Sequence, residues 1–288
     1  MNEAAARQRN PFVPERFAKE IGLHLAKNYC RQGLWESPLI LGIHGPPGEG
    51  KTFICQRILE NYGIRSWLIA GGELENADAG EPSSLIRRRY LEASRAMKHG
   101  DVGSCLILND IDAALGDWGS LTQYTVNRQN VLAQLLHLSD FPTVVENQPT
   151  IRVPIIVTAN DLTKLYGPLV RPGRMKRFEW KPTIEEKTQI VASIFPEYDQ
   201  PSILRLVDEF RRQPASFFAD LRASALDGFI WTAISGYQPK DLIKVVRNQQ
   251  FSVRLPADIS YLSKLAARIE AELQMVNHLG DSIGSHGH

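Results

Sequence analysis

The 288-residue chain has no apolar run approaching the roughly 20 residues that span a bilayer. Its opening, Met1-Asn2-Glu3-Ala4-Ala5-Ala6-Arg7, lacks the apolar core of a secretory signal. A soluble, intracellular protein is expected. Charge of one sign is also missing, since 33 Lys and Arg face 32 Asp and Glu for a formal net charge of +1. No global basic field exists to attract nucleic acid, so nonspecific nucleic-acid binding is not expected. Cysteine is scarce. The three present, Cys30, Cys55 and Cys105, stand in apolar contexts without paired or metal-type spacing and read as small core residues in a reducing compartment. There is no internal repeat. Gly280 to His288 is rich in Gly, Ser and His; His286 and His288 alone cannot complete a coordination shell, so a flexible tail is expected.

A complete phosphate-binding loop is present: Gly45-Pro46-Pro47-Gly48-Glu49-Gly50-Lys51-Thr52. It directly follows the apolar run Leu39-Ile40-Leu41-Gly42-Ile43 and precedes an amphipathic stretch with Phe53, Ile54, Ile58 and Leu59. The motif requires that strand-to-helix context. The glycines let backbone N–H groups close around phosphate oxygens, Lys51 reaches the terminal phosphates of ATP or ADP, and the Thr52 hydroxyl can ligate Mg²⁺.

Strand-like runs at 39–44, 67–70, 104–108, 154–158 and 177–180 alternate with helical patterns at 50–61, 82–98 and 122–138, after a first helix at 15–29. The alternation predicts a parallel α/β sheet covered on both faces. Beyond Lys181-Pro182-Thr183 the apolar residues recur at helical spacing, with Thr183, Glu185 and Glu186 suited to cap the next helix. At 288 residues a large and a small domain are expected, because single cores stop growing near roughly 250 residues. The predicted division is an α/β nucleotide-binding domain over 1–181, an α-helical lid over 182–279 and the tail from 280. A late amphipathic helix carries Leu262, Leu265, Ala266, Ile269 and Leu273.

A phosphate site needs carboxylates beside the γ-phosphate. Cys105-Leu106-Ile107-Leu108-Asn109-Asp110-Ile111-Asp112 is an apolar strand with an acidic exit, and Asp110 is the strongest candidate, both as catalytic carboxylate and toward Mg²⁺. Ile155-Ile156-Val157-Thr158-Ala159-Asn160 is another buried strand ending in an amide, placing Asn160 to orient water or touch the γ-phosphate. Eleven residues later, Arg171-Pro172-Gly173-Arg174 sets two guanidinium groups on a tight turn, suited to stabilise a transferring phosphoryl group on a neighbour's ATP.

Loop, acidic strand, Asn-ended strand and Arg-Pro-Gly-Arg, in this order and spacing, resemble the AAA+ ATPase module, whose members form rings with arginine fingers acting on the adjacent subunit. Within that superfamily the chain resembles the Rubisco activases through Gly72-Glu73-Leu74-Glu75, Ala79-Gly80-Glu81-Pro82, Leu85-Ile86-Arg87 and Thr122-Gln123-Tyr124-Thr125-Val126-Asn127. Arg152-Val153-Pro154-Ile155 and Phe217-Phe218-Ala219-Asp220-Leu221-Arg222-Ala223 extend the match, which covers roughly residues 17 to 235. Activases also carry Asn-Asp where most of the superfamily has Asp-Glu, so Asp110 inherits the catalytic position. The neutral Asn109 leaves Mg²⁺ more dependent on Thr52, phosphates and water, and slow hydrolysis is expected.

The resemblance further implies Arg222 as a lid-borne sensor, Arg171 and Arg174 as fingers, and a hexameric homo-oligomer. It implies two pore loops touching a protein partner, one with Glu75 and Asp78 and one with Trp118 and Tyr124. The implied function is ATP-driven release of inhibitory sugar phosphates from Rubisco, in a cyanobacterial cytosol, free or carboxysome-associated, or in a chloroplast stroma, without membrane attachment. The N-terminal extension of plant activases and the small-subunit-like domain of some cyanobacterial ones are not expected. The alternative from the same module is an activase-like regulator or adaptor that binds Rubisco or another partner without reactivating it. A small-molecule P-loop kinase would leave Arg-Pro-Gly-Arg unexplained, and a DNA-associated motor would need a clustered basic face.

Overall fold

The computed structural model describes residues 12–30, 37–74, 80–100, 102–115, 122–247 and 255–284. Val13–Lys181 pack as one compact unit, and the described residues from Pro182 onward pack as another.

The first unit opens with α1 (Glu15–Tyr29), in which Phe17, Ile21 and Leu25 recur every four residues and are all buried. There follow β1 (Ile40–His44), α2 (Lys51–Asn61), β2 (Arg65–Ala70), α3 (Glu81–His99), β3 (Ser104–Asn109), α4 (Ile111–Leu115) and α5 (Thr122–Asp140). The hairpin of β4 (Val144–Val145) and β5 (Gln148–Pro149), then β6 (Ile155–Ala159) and β7 (Met175–Glu179), complete it. Five strands form one sheet in the order β2-β3-β6-β1-β7. All of its pairings are parallel. Every residue of β6 is buried, as are all but the last residues of β1 and β3. That pattern belongs to strands covered on both faces.

Register decides where the site lies. Ile40 pairs with Ile155 and Met175, while Leu106 also pairs with Ile155, so β1, β3 and β6 end side by side. In open parallel sheets ligands bind beyond such carboxyl ends. The α/β class read from the sequence is the class observed. Three short elements gave no periodic signal. The five residues of α4 and the two-residue strands β4 and β5 are below the length at which a repeat is readable. The hairpin turns through Glu146 (φ 52°) and Asn147 (φ 60°), a left-handed pair suited to the twist of its strands. The strand expected at 177–180 instead runs 175–179, ending where β1 ends and releasing Trp180 from the sheet.

The second unit contains α6 (Ile184–Ile194), α7 (Gln200–Glu209), α8 (Ala215–Ile234), α9 (Leu242–Arg247) and α10 (Ser260–Gly284). Its core includes Val191, Phe195, Ile203, Leu206, Phe218, Leu221 and Leu262. Complete burial of each such side chain contributes roughly 1.5–3 kcal/mol. Thr183 starts α6 with a reciprocal cap: its hydroxyl accepts from the Glu186 N–H at 3.2 Å, and the Glu186 carboxylate accepts from the Thr183 N–H at 2.8 Å. In α10, Leu262, Leu265 and Ala266 are buried, but Leu273 is exposed, because the helix outlasts the core it packs on. Helix α10 continues through Gly284, so 280–284 are helical where a flexible tail was expected; 285–288 lie outside the described residues.

One cysteine expectation is corrected. Cys30 is exposed, because it caps the carboxyl end of α1 in an extended conformation instead of entering the core. Cys55 and Cys105 are fully buried free thiols whose deprotonation burial suppresses, so neither is a nucleophile. No helix among the described residues is long and apolar enough to cross a membrane.

Candidate active site

The loop between β1 and α2 has the backbone of an anion cradle. Gly48 (φ 74°) and Gly50 (φ 73°) are left-handed, and Gly50 is the N-cap of α2 without any side-chain cap bond. The first-turn N–H groups of an 11-residue helix are therefore left for an anion, with the helix dipole favouring negative charge. Gly45 is required for a different reason. A Cβ there would lie 2.0 Å from the Trp180 carbonyl oxygen, so no side chain fits. Pro46, Pro47 and Gly48 form the exposed crest, while Glu49 is buried and its carbonyl accepts from the Trp180 indole N–H at 2.8 Å.

Lys51 is buried and uses all three ammonium hydrogens. It donates at 2.9 Å to the carbonyls of Gly45 and Pro46 and at 2.9 Å to Asn160 Oδ1. Burial pulls its pKa down, opposed by the nearby carboxylates of Asp110, Asp112 and Glu49. Lys51 thus ties the loop to the end of β6, and Asn160 has a cation as its first partner.

A second polar cluster spans β3, α2 and β6. The Thr52 hydroxyl donates to Asn109 Oδ1, which also accepts from the Thr158 hydroxyl at 2.9 Å. Asn109 Nδ2 donates to Asp110 Oδ2 at 3.0 Å, and the Asp110 N–H donates to Thr158 Oγ1 at 3.0 Å. Asp110 itself is left-handed (φ 49°), an uncommon backbone for a non-glycine residue that turns the chain out of β3 at its carboxyl end. One carboxylate oxygen of Asp112 accepts from the N–H groups of Asn160 at 2.9 Å and Asp161 at 3.0 Å, fixing the turn that presents Asn160.

Residues 41–183 match the model of the ATPase family associated with various cellular activities, AAA. The segment 41–183 is thus an AAA domain. Beyond the domain the chain is similar to named relatives. It is 42% identical over 252 residues to the ribulose bisphosphate carboxylase/oxygenase activase of Nostoc sp., covering 85% of this chain and 59% of that protein. It is 40% identical over 233 residues to activase 2 of Nicotiana tabacum (78% and 53%) and 41% over 237 residues to the activase of Zea mays (79% and 54%). The chain spans a little over half the length of these relatives.

In this AAA domain the structure brings Gly45 to Thr52, Asn109, Asp110 and Asn160 together at the carboxyl ends of β1, β3 and β6. The two arginines of the tight turn are separated in environment. Arg171 is exposed. Arg174 is engaged within its own chain, donating Nε and Nη2 to the two carboxylate oxygens of Asp140 at 2.9 Å each, and Nη1 to the Pro168 carbonyl at 3.1 Å. Arg222, in the helical unit, makes a bidentate pair with Glu197 at 2.7 and 2.8 Å and lies over the Phe195 ring. Glu75, Asp78 and Trp118 lie outside the described residues, and of Tyr124 only the helical backbone is described.

Sequence reasoning passed over Thr158, Asp112, Trp180, Asp140 and Glu197. For Thr158 the signal was available: a hydroxyl in an otherwise apolar buried strand must find partners. Trp180 gave none, because its role depends on the loop folding back over β7.

Proposed function

We propose that the chain hydrolyses ATP and uses the cycle to release inhibitory sugar phosphates from ribulose bisphosphate carboxylase/oxygenase, as a homo-oligomeric ring of six subunits in the cytosol or stroma. The observation that carries this reading is the meeting of Lys51, Thr52, Asn109, Asp110 and Asn160 at the carboxyl ends of the central strands in a chain 42% identical to an activase over 252 residues.

The residues fit a nucleotide and Mg²⁺. The open first turn of α2 and the left-handed glycines suit the phosphates, and Lys51 needs only to exchange carbonyl partners for phosphate oxygens. No group of three or more His, Cys, Asp or Glu among the described residues could hold a metal unaided. The hard oxygens of Thr52 and Asp110 suit a magnesium that draws its remaining ligands from phosphates and water. When bound, that ion neutralises charge developing on the phosphates. Asp110 receives the proton of the attacking water, Asn160 orients that water, and Arg171 stabilises the transferring group from the adjacent subunit. Arg174, held by Asp140, supports the turn that carries Arg171, and Arg222 reports nucleotide state from the helical unit. Residues 1–181 are the nucleotide-binding domain and 182–279 the lid; Glu75, Asp78 and Trp118 touch the partner from loops, and Tyr124, expected in a loop, touches it from the first turn of α5.

The test blocks Rubisco with an inhibitory sugar phosphate, adds this protein with ATP, and follows carboxylation against Arg171→Ala and no-ATP controls. Recovery with wild type and ATP alone is expected. Intact ATP hydrolysis without recovery across several Rubisco sources would overturn the remodelling reading and leave an adaptor or regulator built on the same module.

A further inference from the structure

Thr158 is the one hydroxyl-bearing residue of β6 and is completely buried between Val157 and Ala159. A hydroxyl offers one hydrogen and two lone pairs. Thr158 spends its hydrogen on Asn109 Oδ1 at 2.9 Å and accepts the Asp110 N–H at 3.0 Å, with Thr52 Oγ1 a further 3.4 Å contact. It therefore meets the Asn-Asp pair twice. The first link is direct: Asp110 leaves β3 with φ 49°, and the Thr158 oxygen satisfies the N–H of that unfavourable turn. The second link runs through Asn109. With its Oδ1 fixed by Thr158 and Thr52, the Asn109 amide must point Nδ2 the other way, where it donates to Asp110 Oδ2 at 3.0 Å.

A carboxylate at 109 has no hydrogen to give and would repel Asp110, so the neutral side chain is what makes the second link possible. The Thr158 hydroxyl thus sets both the backbone and the carboxylate plane of Asp110.

We propose that Thr158 is a positioning residue for the Asp110 carboxylate, acting through the Asp110 N–H and through Asn109. This rests on the reading of Asp110 as the group that activates water. Among the described residues, the only contact of Thr158 with the phosphate cradle is the long 3.4 Å approach to Thr52 Oγ1, while its two short bonds go to Asn109 and Asp110, so its removal acts on turnover far more than on nucleotide affinity.

The experiment compares wild type, Thr158→Val and Thr158→Ser for kcat and KM of ATP hydrolysis, ADP affinity by calorimetry, and melting temperature. Valine keeps the volume and removes the hydroxyl; serine keeps the hydroxyl and removes a methyl. Misplacement of a reacting group by about 1 Å costs about 10²-fold in rate, so Thr158→Val is expected to lose kcat on that scale with ADP affinity little changed. Thr158→Ser is expected to restore most of the lost turnover. Should Thr158→Val fail to fold, Thr158→Ala carries the same comparison. Wild-type kcat in the valine variant, a parallel loss of ADP affinity, or failure of serine to rescue would each overturn the proposal. A wild-type protein that binds ADP but hydrolyses no ATP would instead sink the hydrolytic reading, and this assignment with it.

Discussion

Trp180 donates its indole N–H to the Glu49 carbonyl at 2.8 Å while its own carbonyl oxygen occupies the space a side chain on Gly45 would need. One residue beyond β7 thereby clamps the phosphate loop at both ends. Phe17 of α1 packs edge-on against the same ring at 4.9 Å, and the Arg16 guanidinium lies over it at 4.6 Å. Helix α1, the loop and the end of β7 are thus one packed assembly.

Trp180→Phe keeps most of the ring packing and removes the indole donor. Loss of the Trp180 bond to the Glu49 carbonyl costs about 0.5–1.5 kcal/mol of stability. Because the loop loses its preset shape, nucleotide affinity is expected to fall about tenfold, equivalent to about 1.4 kcal/mol. Calorimetric titration with ADP beside a thermal melt checks this. A lower melting temperature with unchanged affinity would show that Trp180 supports the fold and not the loop.

The Arg174–Asp140 pair predicts a division of labour on the Arg-Pro-Gly-Arg turn. Arg171→Ala is expected to bind ATP normally and lose about 10³-fold or more in turnover, the scale of an arginine finger. Arg174→Ala and Asp140→Asn are expected to lower turnover to similar extents, and the double variant to be no worse than either, because both remove one interaction. Additive losses would show that Arg174 acts apart from Asp140. Steady-state ATPase rates of the four variants decide it.

His24 supplies a pH dependence. Its ring is buried, with Nε2 donating to the Ile155 carbonyl at 3.2 Å and Nδ1 accepting from Asn28 Nδ2 at 3.4 Å. Burial, with the Arg152 and Lys176 cations adding to it against the Ile155 hydrogen bond, lowers its pKa from 6.5 to about 3. Lys176 in turn pairs with Glu20 on the same helix as His24. The folded state keeps His24 neutral where the unfolded chain would protonate it. Its contribution is therefore complete above pH 6.5 and declines as pH falls toward 3, by up to about 1.4 kcal/mol per pH unit. His24→Gln retains a donor for Ile155 and cannot titrate. Denaturant unfolding at pH 7 and pH 5 is expected to show a shallower loss in the variant, and equal slopes would remove His24 as the cause.

Much of this chain was legible because its signals are local. A glycine-rich loop between an apolar run and an amphipathic stretch needs no tertiary knowledge, since each glycine answers a backbone demand within a few residues. The same holds for Phe17, Ile21 and Leu25 on one helical face and for Thr183 and Glu186 at a helix start. Asp110 and Asn160 were readable because a polar residue closing a buried strand sits at the carboxyl end of the sheet. Cys30 was misplaced because local apolarity does not say where a helix ends relative to the core.

The sequence by itself determined the alternation of strands and helices, the phosphate loop and which strands end in polar groups, because hydrophobic periodicity and backbone permissiveness are properties of short segments. Only the tertiary structure decided that Thr158 links Asn109 to Asp110, that Trp180 holds Glu49, and that Arg174 and Arg222 spend their charge on Asp140 and Glu197. Those pairings join residues brought together by strand order and helix packing, and hydrogen-bond geometry at that range exists only once the chain has closed on itself.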